Sequence, residues 1–299
     1  MVDMRDCIII GRGPAGLSAA LYTVRAGLDT LIIANGTGAL EKAVKIDNYF
    51  GFPDTVSGAK LSEDSQKQVL RLGGDFLDAE VIDIRPEPDG SFLVVCDNGQ
   101  SYACIALLLA TGKPRNLPPV KNLEKFEGAG VSRCAVCDGF FYRGKVVGVL
   151  GEGKFALSEA RELEHLAKTV TIYTNGSQPA FEPSELGGIL LDERKIDYIA
   201  GENKVAGIVF EDGTRSPIDG LFIAAGVAAS REFAAKLGIM TDGGAIIMDK
   251  NGATNVPGIF AAGDCAGAPY QISAAVGEGA RAGLSIAEYV REKKRASRQ

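Results

Sequence analysis

Two short glycine patterns constrain this chain most. Gly11-Arg12-Gly13-Pro14-Ala15-Gly16 follows the apolar run Cys7-Ile8-Ile9-Ile10 and precedes a helical stretch from Leu17 to Ala26, which Gly27 ends. Thr30-Leu31-Ile32-Ile33 is the next strand. Strand, glycine turn, helix and strand make a nucleotide-binding βαβ unit. Gly11 makes the tight turn, Gly13 lets backbone approach a pyrophosphate, and Gly16 lets the helix pack close to the sheet. Helical N–H groups then face the anion. With Pro14 and Ala15, these are candidate cofactor-binding residues. The acidic residue expected on the ribose after the second strand is replaced by Ala34 and Asn35, and Asn35 is the candidate in that place.

The pattern recurs. Lys145 to Leu150 is apolar, and Gly151-Glu152-Gly153-Lys154-Phe155-Ala156 follows. A helix is expected from Leu157 to Ala167 and a strand from Val170 to Tyr173. After the first copy, Val81 to Arg85, Phe92 to Cys96 and Tyr102 to Cys104 read as an antiparallel meander with turns at Pro88-Asp89-Gly90 and Asp97-Asn98-Gly99. Leu107 to Gly112 reads as a separate buried strand ending in a small-residue turn, and Lys113 to Pro119 as a linker. After the second copy, Ile196 to Ile199, Val205 to Phe210 and a strand from Leu221 to Gly226 repeat this order. A chain of 299 residues holds about two domains. Two copies of one α/β nucleotide-binding domain are the economical reading. Near the end, Gly258 to Asp264 is a strand running into a carboxylate placed for the hydroxyls of a ribose or polyol. The N–H groups of Gln271 and Ile272 then open a long helix, about Ser273 to Lys294, and favour negative charge on a reduced ring.

Between the copies stands Cys134-Ala135-Val136-Cys137, followed by Asp138 and Gly139. Such a pair closes and reopens a small disulfide ring, and the adjacent carboxylate is a proton source. The pair is also half of a zinc site, but Cys7, Cys96, Cys104 and Cys265 are scattered and His165 is the single histidine, so no metal site is expected. Candidate catalytic residues are therefore Cys134, Cys137 and Asp138.

A net charge of -6 argues against a nucleic-acid partner, and the basic residues Arg291 to Arg298 read as a solvated helix end. No apolar run reaches membrane-span length, and the N-terminus runs straight into a strand, so no signal peptide is expected. Four cysteines outside the pair fit a reducing cytoplasm.

Together these residues resemble the bacterial-type, low-molecular-weight flavoprotein thioredoxin reductases over nearly the whole chain. The markers are Gly11-x-Gly13-x-x-Gly16, Ile46-Asp47-Asn48-Tyr49 with Gly51-Phe52-Pro53, the run from Cys134 to Arg143, and Gly263-Asp264. The resemblance implies two Rossmann-like, three-layer ββα domains: a discontinuous FAD domain, 1–114 with 242–299, and a redox-disulfide domain, 115–241. It implies a homodimer acting on thioredoxin, with FAD lined by Asn48, Thr111, Gly112, Gly263, Asp264 and Gln271. It also implies that Asp138 is the acid, that Cys137 faces the flavin, and that a domain rotation exposes the pair.

The second glycine copy departs from that family. Its NADPH site carries a His-Arg-Arg-x-x-x-Arg segment, whose arginines hold the 2′-phosphate. Here Thr174 to Phe181 has no basic residue, Glu152 lies inside the turn, and Lys154 and Phe155 replace small polar residues. The pattern resembles the pyridine-nucleotide-independent branch, the ferredoxin-dependent flavin thioredoxin reductases. Two reduced ferredoxins would then load the flavin, which suits the conversion of single electrons to pairs. Three rivals stay open: an NADPH-dependent thioredoxin reductase, an FAD dithiol oxidase using oxygen, and a non-enzymatic flavin redox sensor.

Overall fold

In the computed structural model the N-terminal apolar run is the middle of a sheet. Residues 3–36, 38–112, 118–133, 135–225 and 230–297 are described, with backbone alone for Cys137, Ser230 and Arg231. Cys134, Gly226 and most of the expected linker lie outside them. The chain opens with β1 (Asp3–Ile10), α1 (Pro14–Arg25), β2 (Thr30–Ala34), α2 (Gly58–Arg71), β3 (Asp75–Asp78), β4 (Val81–Pro86), β5 (Phe92–Cys96) and β6 (Ser101–Leu109). The middle carries β7 (Val131–Ser132), α3 (Ala135–Asp138), β8 (Val146–Leu150), α4 (Lys154–Glu164), β9 (Thr169–Tyr173), β10 (Leu190–Asp192), β11 (Ile196–Gly201), β12 (Val205–Phe210), β13 (Arg215–Ser216) and β14 (Gly220–Ile223). The last stretch adds α5 (Ser230–Leu237), β15 (Thr241–Asp242), β16 (Ala245–Ile246), β17 (Ile259–Ala261) and α6 (Ile272–Ala296).

Met1–Pro114 and Ala229–Gln299 form one compact unit, and Arg115–Ala228 a second. The chain returns to the first unit before α5 rather than at 242. The reason is that α5 packs on β4, where Lys236 Nζ lies 3.5 Å from the buried Asp83 carboxylate.

The large sheet of the first unit runs β3-β2-β1-β6-β5-β4, with β17 also on β6. Ile8, Ile9, Ile32, Ile33, Leu107 and Leu108 are fully buried, as expected of parallel strands covered on both faces. Each contributes about 1.5–3 kcal/mol through burial. The strands expected at Tyr102 to Cys104 and from Leu107 are one strand. Ile105-Ala106 offers no turn residue, so β6 runs on, antiparallel to β5 in its first half and parallel to β17 in its second. Helices α1 and α6 pack unusually close. A Cβ on Gly279 would fall 2.1 Å from the Ala15 carbonyl oxygen, and one on Gly283 2.6 Å from that of Ala19.

The second unit repeats the plan. A parallel sheet runs β10-β9-β8-β14-β7, and β11-β12-β13 form an antiparallel meander. Its core gathers Phe126, Leu150, Tyr173, Ile199, Ile208 and Phe210. Helix α4 starts at Lys154, three residues before the expected Leu157, because Gly153 is its extended N-cap. No helix among the described residues is long and apolar enough to cross a membrane.

Candidate active site

The first unit supplies a dinucleotide cradle. Gly11 has φ +111°, a conformation open to glycine, and its Cβ would sit 2.2 Å from the Ala110 carbonyl oxygen. A Cβ on Gly16 would lie 2.0 Å from the Gly11 carbonyl oxygen, whereas nothing stands within 4 Å of one on Gly13. The turn is therefore sterically closed beneath and open toward a ligand. Gly13 caps α1, and Pro14 takes the first helical position, where a missing N–H costs nothing. Ala15 is buried against α6.

Asn35 is exposed at the ribose end. Sequence reasoning missed its neighbours: Arg12 donates to the Gly36 carbonyl at 2.8 Å and pairs with Asp78, which stands in register with Ala34. A carboxylate thus reaches this edge from β3 and is engaged by Arg12.

Thr111 Oγ1 is buried without a hydrogen-bond partner beside Gly112, a polar atom that a bound FAD would satisfy. Asn48 Nδ2 donates to Gln271 Oε1 at 3.2 Å, joining the early loop to the start of α6 across 223 residues. Gln271 spends its own N–H on the Pro269 carbonyl at 2.9 Å, so the helix opening falls to Ile272 and its successors and not to both residues as expected. Gly263 and Asp264 enter a short 3-10 turn, and the Gly263 N–H donates to Glu278 Oε2 at 2.8 Å. Glu278 was not legible as a site residue. It anchors the turn that presents Asp264. The first unit thus brings together Gly11, Gly13, Pro14, Ala15, Gly16, Thr111, Gly112, Gly263, Asp264, Gln271, Ile272 and Asn48, and these residues fit FAD.

In the second unit Ala135–Asp138, which includes the backbone of Cys137, form the one-turn helix α3, which a 3-10 turn, Gly139–Tyr142, continues. Asp138 Oδ2 accepts the Ser132 hydroxyl at 2.7 Å, so β7 holds the candidate acid in place. At the other end of the turn, the Ala135 N–H donates to Glu159 Oε2 at 2.9 Å. Val136, Phe140 and Phe141 are exposed beside the pair, an apolar face suited to a protein partner. The Tyr142 hydroxyl is pushed up by burial and then by Asp138 and Asp219.

The second glycine turn reproduces the first: a Cβ on Gly151 would lie 2.2 Å from the Ala224 carbonyl oxygen. What stands before it differs. The Ala180 N–H donates to the Glu152 carbonyl at 2.8 Å, and Lys154 Nζ meets both Glu185 oxygens at 2.6 and 2.5 Å. Arg161 donates to the Glu185 carbonyl at 2.9 Å, and Glu185 reaches back to the Glu182 N–H at 2.9 Å. The segment after β9 is thereby tied across the N-terminus of α4. Phe155 and Phe181 are buried, and Thr174 Oγ1 is buried without a partner. The Lys154 hydrogen bond, with the Glu182 N–H, holds the Glu185 carboxyl below the usual range.

Comparison with known proteins gives consistent relatives. The family described as pyridine nucleotide-disulphide oxidoreductase matches residues 5–279. A thioredoxin reductase of Listeria monocytogenes is 36% identical over 97% of this chain and 95% of that protein. The atypical thioredoxin reductase TRi of Desulfovibrio vulgaris Hildenborough superposes with TM-score 0.89 at 42% identity, covering 96% of this chain and 98% of that one. A ferredoxin-flavin thioredoxin reductase of Clostridium acetobutylicum is similar at TM-score 0.69 and 28% identity, over 98% of this chain and 100% of the other.

Proposed function

The chain belongs to the pyridine nucleotide-disulphide oxidoreductases and, within them, to the thioredoxin reductases, and we propose that its electron donor is reduced ferredoxin rather than NADPH. It is a flavin-dependent disulfide oxidoreductase with FAD as cofactor. When bound, FAD accepts electrons singly and releases them as a pair.

The observation that carries the proposal is the Lys154–Glu185 pair. In a nucleotide site the N-terminus of α4 and its lysine would receive a pyrophosphate. Here an internal carboxylate holds that lysine, and its loop is fastened to the turn through Ala180. Residues 174–181, where cations would grip a 2′-phosphate, instead form a turn through Asn175 and Gly176, both at positive φ. A ferredoxin needs none of these groups. The Clostridium relative named for ferredoxin supports this reading.

In this scheme the Cys134–Cys137 disulfide takes two electrons and two protons and opens to a dithiol. A thiolate then attacks one sulfur of the thioredoxin disulfide, whose partner sulfur leaves and is protonated. The second chain cysteine displaces the mixed disulfide, which restores the Cys134–Cys137 bond and releases dithiol thioredoxin. Asp138, held by Ser132, is the group that moves the proton at the leaving sulfur. Val136, Phe140 and Phe141 receive the apolar surface around the thioredoxin disulfide. The reading carries with it the homodimer that the resemblance implies.

The test is thioredoxin reduction under anaerobic conditions with each donor supplied in turn. Turnover with reduced ferredoxin and its absence with NADPH or NADH is expected. Turnover with NADPH matching that with ferredoxin contradicts the proposal.

A further inference from the structure

We propose that Asp78, positioned by Arg12, binds the ribose in the adenosine half of FAD, in place of the acidic residue missing from the end of β2. The inference rests on FAD being the cofactor. In a dinucleotide-binding βαβ unit that acid accepts a hydrogen bond from the ribose 2′-hydroxyl. Here β2 ends in Ala34, and the neutral Asn35 follows. The carboxylate comes instead from the next strand. β3 runs parallel to β2, and Asp78 stands in register with Ala34. The Gly11 N–H donates to the Ile33 carbonyl at 2.9 Å, so the glycine turn meets the same end of the sheet. The turn and the Asp78 carboxylate therefore share one edge, the carboxyl ends of β1, β2 and β3, where parallel sheets bind their ligands.

Arg12 connects the two. It stands between Gly11 and Gly13, and its side chain spans from the end of β1 past β2 to β3, two strand spacings or about 10 Å. Nη1 pairs with Asp78 Oδ1, and Nη2 donates to the Gly36 carbonyl at 2.8 Å. Nε is buried without a hydrogen-bond partner. An ion pair open to solvent adds little to stability, and an unpaired buried N–H works against folding. Stability therefore does not account for this arrangement, whereas positioning does. Arg12 takes one Asp78 oxygen. The other has no partner among the described residues, and the Asp78 side chain is 77% exposed while that of Arg12 is 19% exposed. A carboxylate is thus fixed from beneath and left open toward the cradle.

The charge also sets a preference. An unmodified ribose donates its hydroxyls to the free oxygen, a hydrogen bond strengthened by the acceptor's charge. A ribose bearing a 2′-phosphate would bring a second negative group against it. Arg12 does not reverse this, because its guanidinium is already paired with Asp78 and the Gly36 carbonyl. The first unit is thereby matched to FAD, whose adenosine ribose carries no phosphate, and set against NADPH. Asn35, neutral and exposed, does not supply this discrimination.

The experiment uses the full-length, FAD-loaded protein. The FAD dissociation constant is read from the fluorescence of flavin released on dilution. FMN, which lacks the adenosine half, is measured in the same way after exchange. ADP and 2′-deoxy-ADP are compared as displacers of FAD. With the parent, ADP should act at about tenfold lower concentration than 2′-deoxy-ADP, as one hydroxyl on a carboxylate requires. Asp78→Ala should weaken FAD binding about tenfold, leave FMN binding unchanged and make the two nucleotides equal. Arg12→Met releases Asp78 from its pair and should narrow the preference for ADP. Parental FAD affinity in Asp78→Ala, or equal displacement by the two nucleotides in the parent, overturns the inference. So does an FMN affinity that falls by the same factor as that for FAD. A parent protein that holds no FAD overturns the cofactor assignment itself, so the two failures are distinct.

Discussion

Lys154 and Glu185, 31 residues apart in the chain, meet through two hydrogen bonds at 2.6 and 2.5 Å at the start of α4, where a dinucleotide phosphate would dock. The pair is the end of a fastened loop rather than an isolated surface contact, because Ala180 and Arg161 hold the same segment.

The pair makes the loop pH-dependent in a defined direction. Folding lowers the Glu185 pKa, chiefly through Lys154. Its contribution is therefore fully present above the ordinary glutamate value and is lost as pH falls through the lower folded value. Hydrogen exchange of the Ala180 and Glu182 amides, corrected for intrinsic rate, should show protection that disappears on acidification. In Glu185→Gln that protection should be weakened already at neutral pH. Equal protection in both proteins at every pH contradicts the assignment.

Thiol counting separates the two classes of cysteine. Burial pushes Cys104 and Cys265 up to about 12 and Cys96 up to about 11, and it raises Cys7 well above the ordinary thiol value, with Cys104 and Asp6 adding to the effect. Buried protonated thiols are poor nucleophiles. The reduced native protein at neutral pH should consume about two equivalents of thiol reagent, and the remaining four of its six cysteines should react only on unfolding. Labelling of Cys7 or Cys104 in the native protein would show that the core is open.

Cys134→Ser and Cys137→Ser should each abolish thioredoxin reduction and leave FAD bound, since the cofactor cradle belongs to the other unit. One of the two variants should trap a mixed disulfide with thioredoxin, visible on non-reducing electrophoresis. Normal turnover in either variant excludes the exchange scheme.

Gly279→Ala places a methyl group 2.1 Å from the Ala15 carbonyl oxygen, a main-chain atom that moves only with α1. The expected cost is about 1–3 kcal/mol of stability. FAD affinity should fall as well, because α6 carries both Gln271 at its cap and the Glu278 that anchors Gly263. An unchanged urea midpoint would mean that the helices separate more freely than their packing implies.

The glycine signatures were legible because each required glycine is a local steric fact. Gly11 and Gly151 face the backbone of the strand beside them, and Gly16 faces its own turn. The cysteine pair and Asp138 were legible by adjacency. Helix α2 was not identified, although Ser57 caps it by accepting the Lys60 N–H. The two expected strands around Ile105 merged because a strand can change partners without a turn. Three carboxylates, Glu278 in the first unit and Glu159 and Glu185 in the second, hold segments of their own unit and left no sequence trace. Glu159 reaches 24 residues, Glu278 15 and Glu185 31, and each partner is a main-chain N–H or a lysine found only once the helices are packed.

The central claim is that this flavin does not take electrons from a nicotinamide cofactor. Loss of one bidentate arginine–phosphate contact alone costs about a hundredfold in affinity. Arginines restored at Thr174 and Asn175 should not rescue binding while Glu185 still holds Lys154. The direct measurement is anaerobic rapid-mixing absorbance of the FAD-loaded protein. Near-stoichiometric NADPH should leave the oxidised flavin band unchanged, and reduced ferredoxin should bleach it. Rapid bleaching by NADPH would contradict the account and place the protein among the NADPH-dependent reductases.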